Sequence, residues 1–249
     1  MIVSDLDGTL LRDDKTISER TISILEQCRK SGIKVIYATA RGGSAGKVAP
    51  GELFDGRVVM SGAVAYVGES VVYNCLIPYT MARPLLAACD QRGLKTASEI
   101  SGMHYSNFNV SDEWPFITNY KMVNFLEHNI DAEKIYALVK NADDVAFIEN
   151  NLPKDLYLSV SRDNMAMIMH KNATKAKAVA KLAQLFGVAP SEIVAFGDDL
   201  IDIDMLQYAG TGVAMGNALD EVKAVADYVC TSNEEDGIAE WILKMGIIK

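Results

Sequence analysis

Close to the start of the chain two aspartates, Asp5 and Asp7, stand two residues apart, after a short apolar run and before Gly8. Successive side chains of an extended segment point to opposite faces, so this spacing predicts two carboxylates on one side of a strand end. Acids crowded in that way repel each other unless a cation or a shared proton relieves them. The pair therefore suits either a hard metal ion or a nucleophile working beside an acid/base. Taken alone such a pair reads first as an acidic turn; three later elements reverse that reading.

Thr39 follows the apolar run Ile33–Ala38, and Asp198 follows Ile193–Phe196. Lys175 stands at the start of a helix that opens at Thr174 and closes at Gly187. In open α/β sheets ligands bind outside the carboxyl ends of the strands, so these polar residues are expected to line one crevice. A helix N-terminus carrying a lysine is a natural phosphate site. Asp198 and Asp202 are four apart and share a face if the chain turns helical after Gly197. Three or four carboxylates around one point suit Mg²⁺, which takes oxygen ligands and keeps several waters.

The chemistry such a set can do is phosphoryl transfer to a carboxylate. An aspartate approaching a phosphate dianion meets a repulsion of about 4 kcal/mol per charge pair at 4 Å and an effective dielectric near 20. A bridging Mg²⁺ and the Lys175 ammonium would turn that repulsion into attraction. The Thr39 hydroxyl and nearby amides can donate to phosphate oxygens. A second acid can then protonate the leaving oxygen and afterwards activate water.

Positioning these groups takes a particular architecture. Both ends of the chain alternate strand-like and helix-like segments, which predicts an α/β, Rossmann-like, mostly parallel sheet covered on both faces. Thr16-Ile17-Ser18-Glu19 has capping-box spacing ahead of a helix that stops near Gly32. Val58–Met60 reads as a strand, and a hairpin is expected around Gly68-Glu69-Ser70. Short strands are expected at Gly212–Met215 and Tyr228–Cys230.

Roughly residues 80–170 differ in character and predict a separate α+β domain inserted between core segments 1–79 and 171–249. Helices are expected over Met81–Arg92 and Asp131–Lys140. Strands are expected over Leu156–Ser161 and Met165–His170, separated by Arg162-Asp163-Asn164. Met165, Met167 and Met169 alternate, which reads as core packing.

The formal net charge of −9 over 249 residues argues against nucleic-acid or anionic-membrane binding, so an anionic substrate would need locally supplied positive charge. Four scattered cysteines without a CxxC pair predict reduced thiols, and the three dispersed histidines lack zinc-ligand spacing. No signal peptide or membrane-length apolar run is evident, so a cytoplasmic protein is expected.

With these residues assembled, the chain resembles the haloacid dehalogenase superfamily, specifically its Cof-type phosphatases with an inserted α/β cap. Asp5-Leu6-Asp7-Gly8-Thr9 is similar to the first motif, Ala38-Thr39-Ala40-Arg41 to the second, Thr174-Lys175 to the third, and Gly197–Leu206 to the fourth. Gly212–Ala218 also follows the family pattern. The resemblance implies Asp5 as nucleophile, Asp7 as general acid/base, and Leu6, Thr39, Ala40 and Lys175 as phosphate-binding residues. It further implies Mg²⁺ held by Asp5, the Asp7 main-chain carbonyl and Asp198, with Asp202 supporting. The inserted segment would be the cap that selects substrate.

The chain has Ala40 where the family usually has glycine, Ser61-Gly62-Ala63 where it often has Asn-Gly-Ala, and Ile201 where it commonly has a phosphate-contacting asparagine. The leading expectation is a Mg²⁺-dependent phosphatase acting on a small phosphorylated metabolite, a sugar phosphate by class, through an aspartyl-phosphate. A phosphomutase shares the aspartyl-phosphate step, and Ile201 leaves a phospho-ligand-binding protein with weak or lost turnover as a reading of another class. Dehalogenase chemistry would leave Asp7 idle. His104, Tyr105, Asn107, Trp114 and Arg162 are candidates to reach substrate from the insert, and equally candidates for its own surface or core.

Overall fold

A computed structural model describes residues 1–161 and 164–248. The chain divides into two compact units: Met1–Asn74 joined by the segment from Thr174 onward, and Cys75–Ala173.

The first unit is built on β1 (Ile2–Ser4), α1 (Glu19–Lys30), β2 (Val35–Ala38), β3 (Gly56–Val59), β4 (Val64–Val67) and β5 (Ser70–Asn74). The second unit contains α2 (Tyr79–Gln91), β6 (Thr96–Ile100), β7 (Met103–Ser106), α3 (Val110–Glu113), β8 (Tyr120–Met122), β9 (Lys134–Leu138), α4 (Ala142–Asn150), β10 (Leu156–Val160) and β11 (Met165–His170). The chain then returns to the first unit with α5 (Lys175–Phe186), β12 (Val194–Gly197), α6 (Ile203–Tyr208), β13 (Thr211–Ala214), α7 (Asp220–Lys223), β14 (Tyr228–Val229) and α8 (Gly237–Lys244).

The sheet of the first unit runs β14-β13-β12-β1-β2-β3-β4-β5. Its pairs are parallel from β14 through β3, and the β4–β5 hairpin closes one edge in antiparallel sense. Central strands buried on both faces read as unbroken apolar runs, as in Val35-Ile36-Tyr37-Ala38, where all four residues are buried. Ser4 stands level with Tyr37 on one side and Phe196 on the other, so β1, β2 and β12 end within a residue of each other. That register delivers the residues after each strand to one edge of the sheet.

Helix α1 begins later than its capping-box spacing predicts. Thr16 is engaged by Asp14, its hydroxyl 2.6 Å from Oδ1, while Ser18 is the N-cap and accepts from the Thr21 amide at 3.0 Å.

The second unit has a six-stranded sheet, β10-β11-β9-β6-β7-β8, antiparallel except between β7 and β8. The helix expected over Asp131–Lys140 is instead strand β9, paired with β6 on one side and β11 on the other. Its Ala, Glu, Lys and Leu content favours helix, but Ile135, Ala137 and Val139 alternate into one core cluster while Tyr136 enters another on the opposite face. Burial on both faces of a central strand overrides local propensity. The methionine stripe of β11 is also divided. Ala166 and Ile168 fill the larger core, Met165 packs on the smaller one, and Met169 is buried. The turn expected at Arg162-Asp163 lies outside the described residues.

Candidate active site

Asp5 leaves the end of β1 with its backbone amide donating to the Phe196 carbonyl of β12 at 3.0 Å. Its carboxylate is buried, and Oδ1 lies 2.5 Å from Lys175 Nζ. Lys175 is the first residue of α5, whose N-cap Thr174 accepts from the Lys177 amide. The side chain of Lys175 is wholly buried, and its ammonium also lies 2.6 Å from Asp202 Oδ1. The Gly62 turn brings this helix start close. A Cβ at Gly62 would fall 2.2 Å from the Thr174 carbonyl, so only glycine allows the two backbones to meet there.

Asp202 is buried and fully engaged. Its Oδ2 accepts from the amides of Asp198 and Asp199 at 3.0 and 3.1 Å, while Oδ1 takes Lys175. The chain after Gly197 turns as a single tight 3-10 turn over Leu200–Asp202 before α6 starts. The four-residue spacing thus folds Asp202 back under the Asp198 backbone, in place of the shared helical face expected from the sequence. Asp198 receives the Thr9 hydroxyl on Oδ1 at 2.5 Å. One carboxylate oxygen from each of Asp5, Asp198 and Asp202 lies within 4.8 Å of the others.

Burial is the dominant influence on these acids. It pushes Asp5 up to about 7 against the opposing pull of Lys175, and pushes Asp198 up to about 6 against the Thr9 hydrogen bond. Burial alone would lower Lys175, but the Asp202 and Asp5 carboxylates outweigh it and hold the ammonium charged well above its ordinary value. An all-oxygen, carboxylate-rich set with two acids raised chiefly by burial fits a small hard cation.

Asp7 has a different environment. Arg41 closes on it with two nitrogens, and Lys15 Nζ lies 3.0 Å from Oδ1. Those contacts, Arg41 first, hold its carboxyl down at about 2. Gly8 follows with φ +79°, and a Cβ there would fall 2.3 Å from Asp198 Oδ2, so the turn after the acid pair depends on glycine.

Thr39 is buried after β2, its hydroxyl oxygen accepting from the Arg41 amide at 3.1 Å. Ala40 beside it is exposed, and the Leu6 side chain is fully buried while its carbonyl accepts from Thr9 and Leu11. Ile201 is 43% exposed and therefore takes no part in the core.

Arg41 was visible in the sequence only as the end of a motif. Its contact with Asp7, and that of Thr9 with Asp198, join residues 34 and 189 positions apart and carry no local signal.

The candidates in the second unit are tied up inside it. His104 Nδ1 lies 2.9 Å from the Tyr136 hydroxyl, Trp114 packs edge-on against Tyr136, and the Tyr105 ring sits 5.2 Å from His128. Asn107 donates to Leu94 O and accepts from the Thr96 amide. Arg162 lies outside the described residues.

Residues 2–242 match the model of a family of haloacid dehalogenase-like hydrolases. The chain is 30% identical to the 5-amino-6-(5-phospho-D-ribitylamino)uracil phosphatase YitU of Bacillus subtilis, across 97% of this chain and 96% of that one. It is 28% identical to the pyridoxal phosphate phosphatase YbhA of Escherichia coli, across 97% of each. Among solved structures, a HAD subclass IIB sugar phosphatase superposes with a TM-score of 0.82 at 29% identity, across 99% of each chain.

Proposed function

Because the chain belongs to the haloacid dehalogenase-like hydrolases and is a phosphatase of that family, we propose that it hydrolyses a small phosphorylated metabolite, a sugar phosphate by class, through an aspartyl-phosphate on Asp5. The observation that carries this reading is the buried ion cluster in which Lys175 bridges Asp5 and Asp202 beside Asp198.

In this reading an Asp5 carboxylate oxygen attacks phosphorus, and the P–O bond to the leaving alcohol breaks. Lys175 keeps its charge throughout and offsets the negative charge gathering on Asp5 and the phosphoryl oxygens. The Thr39 hydroxyl and the amides of Leu6 and Ala40 would hold those oxygens. Asp7 gives its proton to the leaving oxygen, then takes one from the water that cleaves the acyl phosphate. A carboxyl held at about 2 is ionised at neutral pH and has no proton to give, so in this reading substrate draws Arg41 and Lys15 away and lets Asp7 take one up before it acts.

Asp5, the Asp7 carbonyl and Asp198 would hold Mg²⁺, with Asp202 orienting the Asp198 backbone through its two amide contacts. When bound, the ion supplies the positive charge that lets Asp5 and Asp198 ionise together and tolerates an incoming phosphate. The second unit, Cys75–Ala173, is the cap in this reading and carries substrate selection.

The test is a panel of phosphate monoesters assayed for released phosphate with and without Mg²⁺, for wild type and Asp5→Asn. Phosphate release that needs Mg²⁺ and falls at least about 1,000-fold in Asp5→Asn is the expected result. Absence of release from every monoester by folded protein, or an isomeric phosphate ester as the product, would overturn it.

A further inference from the structure

The segment Gly212–Ala218 takes no part in the reaction just described, yet its asparagine reaches the catalytic turn. Asn217 Nδ2 donates to the Gly8 carbonyl at 2.7 Å, and its Oδ1 accepts from the Asn233 amide at 3.1 Å. Each end of the carboxamide thus meets its complement, and a flipped amide would set oxygen against oxygen and N–H against N–H. Asn233 is itself buried, and its side chain donates to Leu11 O at 3.0 Å and lies 3.3 Å from Asp13 Oδ1. The Gly216 amide bonds to Thr231 O, which joins the two loops next to this pair.

Gly8 is a point of backbone freedom directly beside the site. It lies immediately after Asp7 with positive φ, and glycine has the largest backbone freedom of any residue. The turn around it is closed by the amides of Thr9 and Leu11, both donating to Leu6 O. On its far side the Thr9 hydroxyl holds Asp198, and Asp198 O in turn accepts from the Leu219 amide. One loop, residues 217–219, therefore grips both the Gly8 backbone and the Asp198 backbone.

We propose that Asn217, oriented by Asn233, is a positioning residue that fixes the Gly8 peptide and with it the direction of Asp7. Its donor is committed to the main chain, so it does not supply the phosphate contact that Ile201 lacks. The inference rests on the function proposed above. Because Asn217 is itself exposed, replacing it leaves the core intact and separates placement from stability.

The experiment compares wild type, Asn217→Ala, Asn217→Asp, Asn233→Ala and the double alanine variant, with p-nitrophenyl phosphate as substrate in Mg²⁺. Misplacing a reacting group by a fraction of an ångström lowers kcat more than affinity, so Asn217→Ala should lose about tenfold or more in kcat with KM changed less than about twofold. Asn217→Asp should be no better, having lost the donor. The double variant should be no slower than Asn217→Ala, since both residues act on one turn.

Amide hydrogen exchange over residues 6–11 is followed in parallel and needs no turnover; it should quicken in Asn217→Ala while the rest of the first unit stays unchanged. Unaltered exchange there, or a rise in KM at constant kcat, would overturn the inference. Were wild type inactive on this ester, the proposed function would be in question, while the exchange result would still decide whether Asn217 holds the turn.

Discussion

Arg41 holds Asp7 in a fork, Nε 2.5 Å from Oδ2 and Nη2 2.7 Å from Oδ1. A paired, planar grip of this kind favours the ionised carboxylate strongly. It makes the resting site a closed ion pair in which Asp7 holds its charge.

Replacing the fork should be visible directly in the titration of Asp7. In Arg41→Gln its carboxyl resonance should titrate well above the value of about 2 that Arg41 imposes, because burial then opposes the remaining pull of Lys15. The depressed value means that any stability Asp7 contributes is present above about pH 3.9 and lost as pH falls through about 2. With the side chain 38% exposed, that contribution is small. An unmoved titration in the variant would assign the shift to some other group.

Asp5 and Asp198 carry the opposite sign. Their carboxyls are raised to about 7 and about 6, so the unfolded chain ionises first as pH rises. Their contribution to stability is full below about pH 3.9 and is lost as pH climbs through their folded values. For metal-free protein, the denaturation midpoint should therefore fall between about pH 5 and pH 7.5, and added Mg²⁺ should recover more stability at the upper end. Equal stabilisation by Mg²⁺ at both pH values would mean that these acids are not its ligands.

Lys175→Met tests the centre of the cluster. The replacement keeps the volume but leaves Asp5 and Asp202 buried without their cation. Breaking a buried pair by removing one partner typically destabilises by about 3–5 kcal/mol. Chemical denaturation should show a loss of that order at neutral pH. A loss below about 1 kcal/mol at neutral pH, the range of exposed ion pairs, would show that the ammonium is not buried in solution.

Gly8→Ala should damage the site through geometry. A non-glycine residue in the left-handed region loses about 1–2 kcal/mol, and here the new methyl also meets Asp198 Oδ2 at 2.3 Å. Stability should fall, and stabilisation by Mg²⁺ should weaken because Asp198 is displaced. Wild-type response to Mg²⁺ in this variant would remove Asp198 from the cation site.

Ile201→Asn is the least invasive change. Ile201 is 43% exposed, so the substitution should leave stability within about 0.5 kcal/mol. A new donor to a charged oxygen is typically worth about 1.5–3 kcal/mol, so phosphate as product inhibitor should bind about tenfold tighter or better. Unchanged inhibition would show that this side chain does not reach phosphate.

The amino-acid sequence by itself determined the main-chain placement of the chemistry. Asp5, Thr39 and Asp198 each follow an apolar run that reads as a buried strand of a parallel sheet, and Lys175 stands one residue past a helix cap. In such a sheet the residues after the strands meet at one edge, so order along the chain was enough to bring them together.

Tertiary structure alone decided what each group touches. The grip of Arg41 on Asp7, of Thr9 on Asp198 and of Asn217 on the Gly8 carbonyl joins groups far apart in sequence, and no local pattern encodes such pairs. Spacing put Asp202 among the carboxylates around one point, and the tight turn after Gly197 decides how: it folds Asp202 under the Asp198 backbone, with one oxygen on Lys175. The segment over Asp131–Lys140 carries helix-forming residues and is a strand because its neighbours β6 and β11 offer it hydrogen bonds and burial on both faces. Propensity is worth tenths of a kcal/mol per residue, whereas burying one large apolar side chain is worth about 1.5–3 kcal/mol, so packing decides.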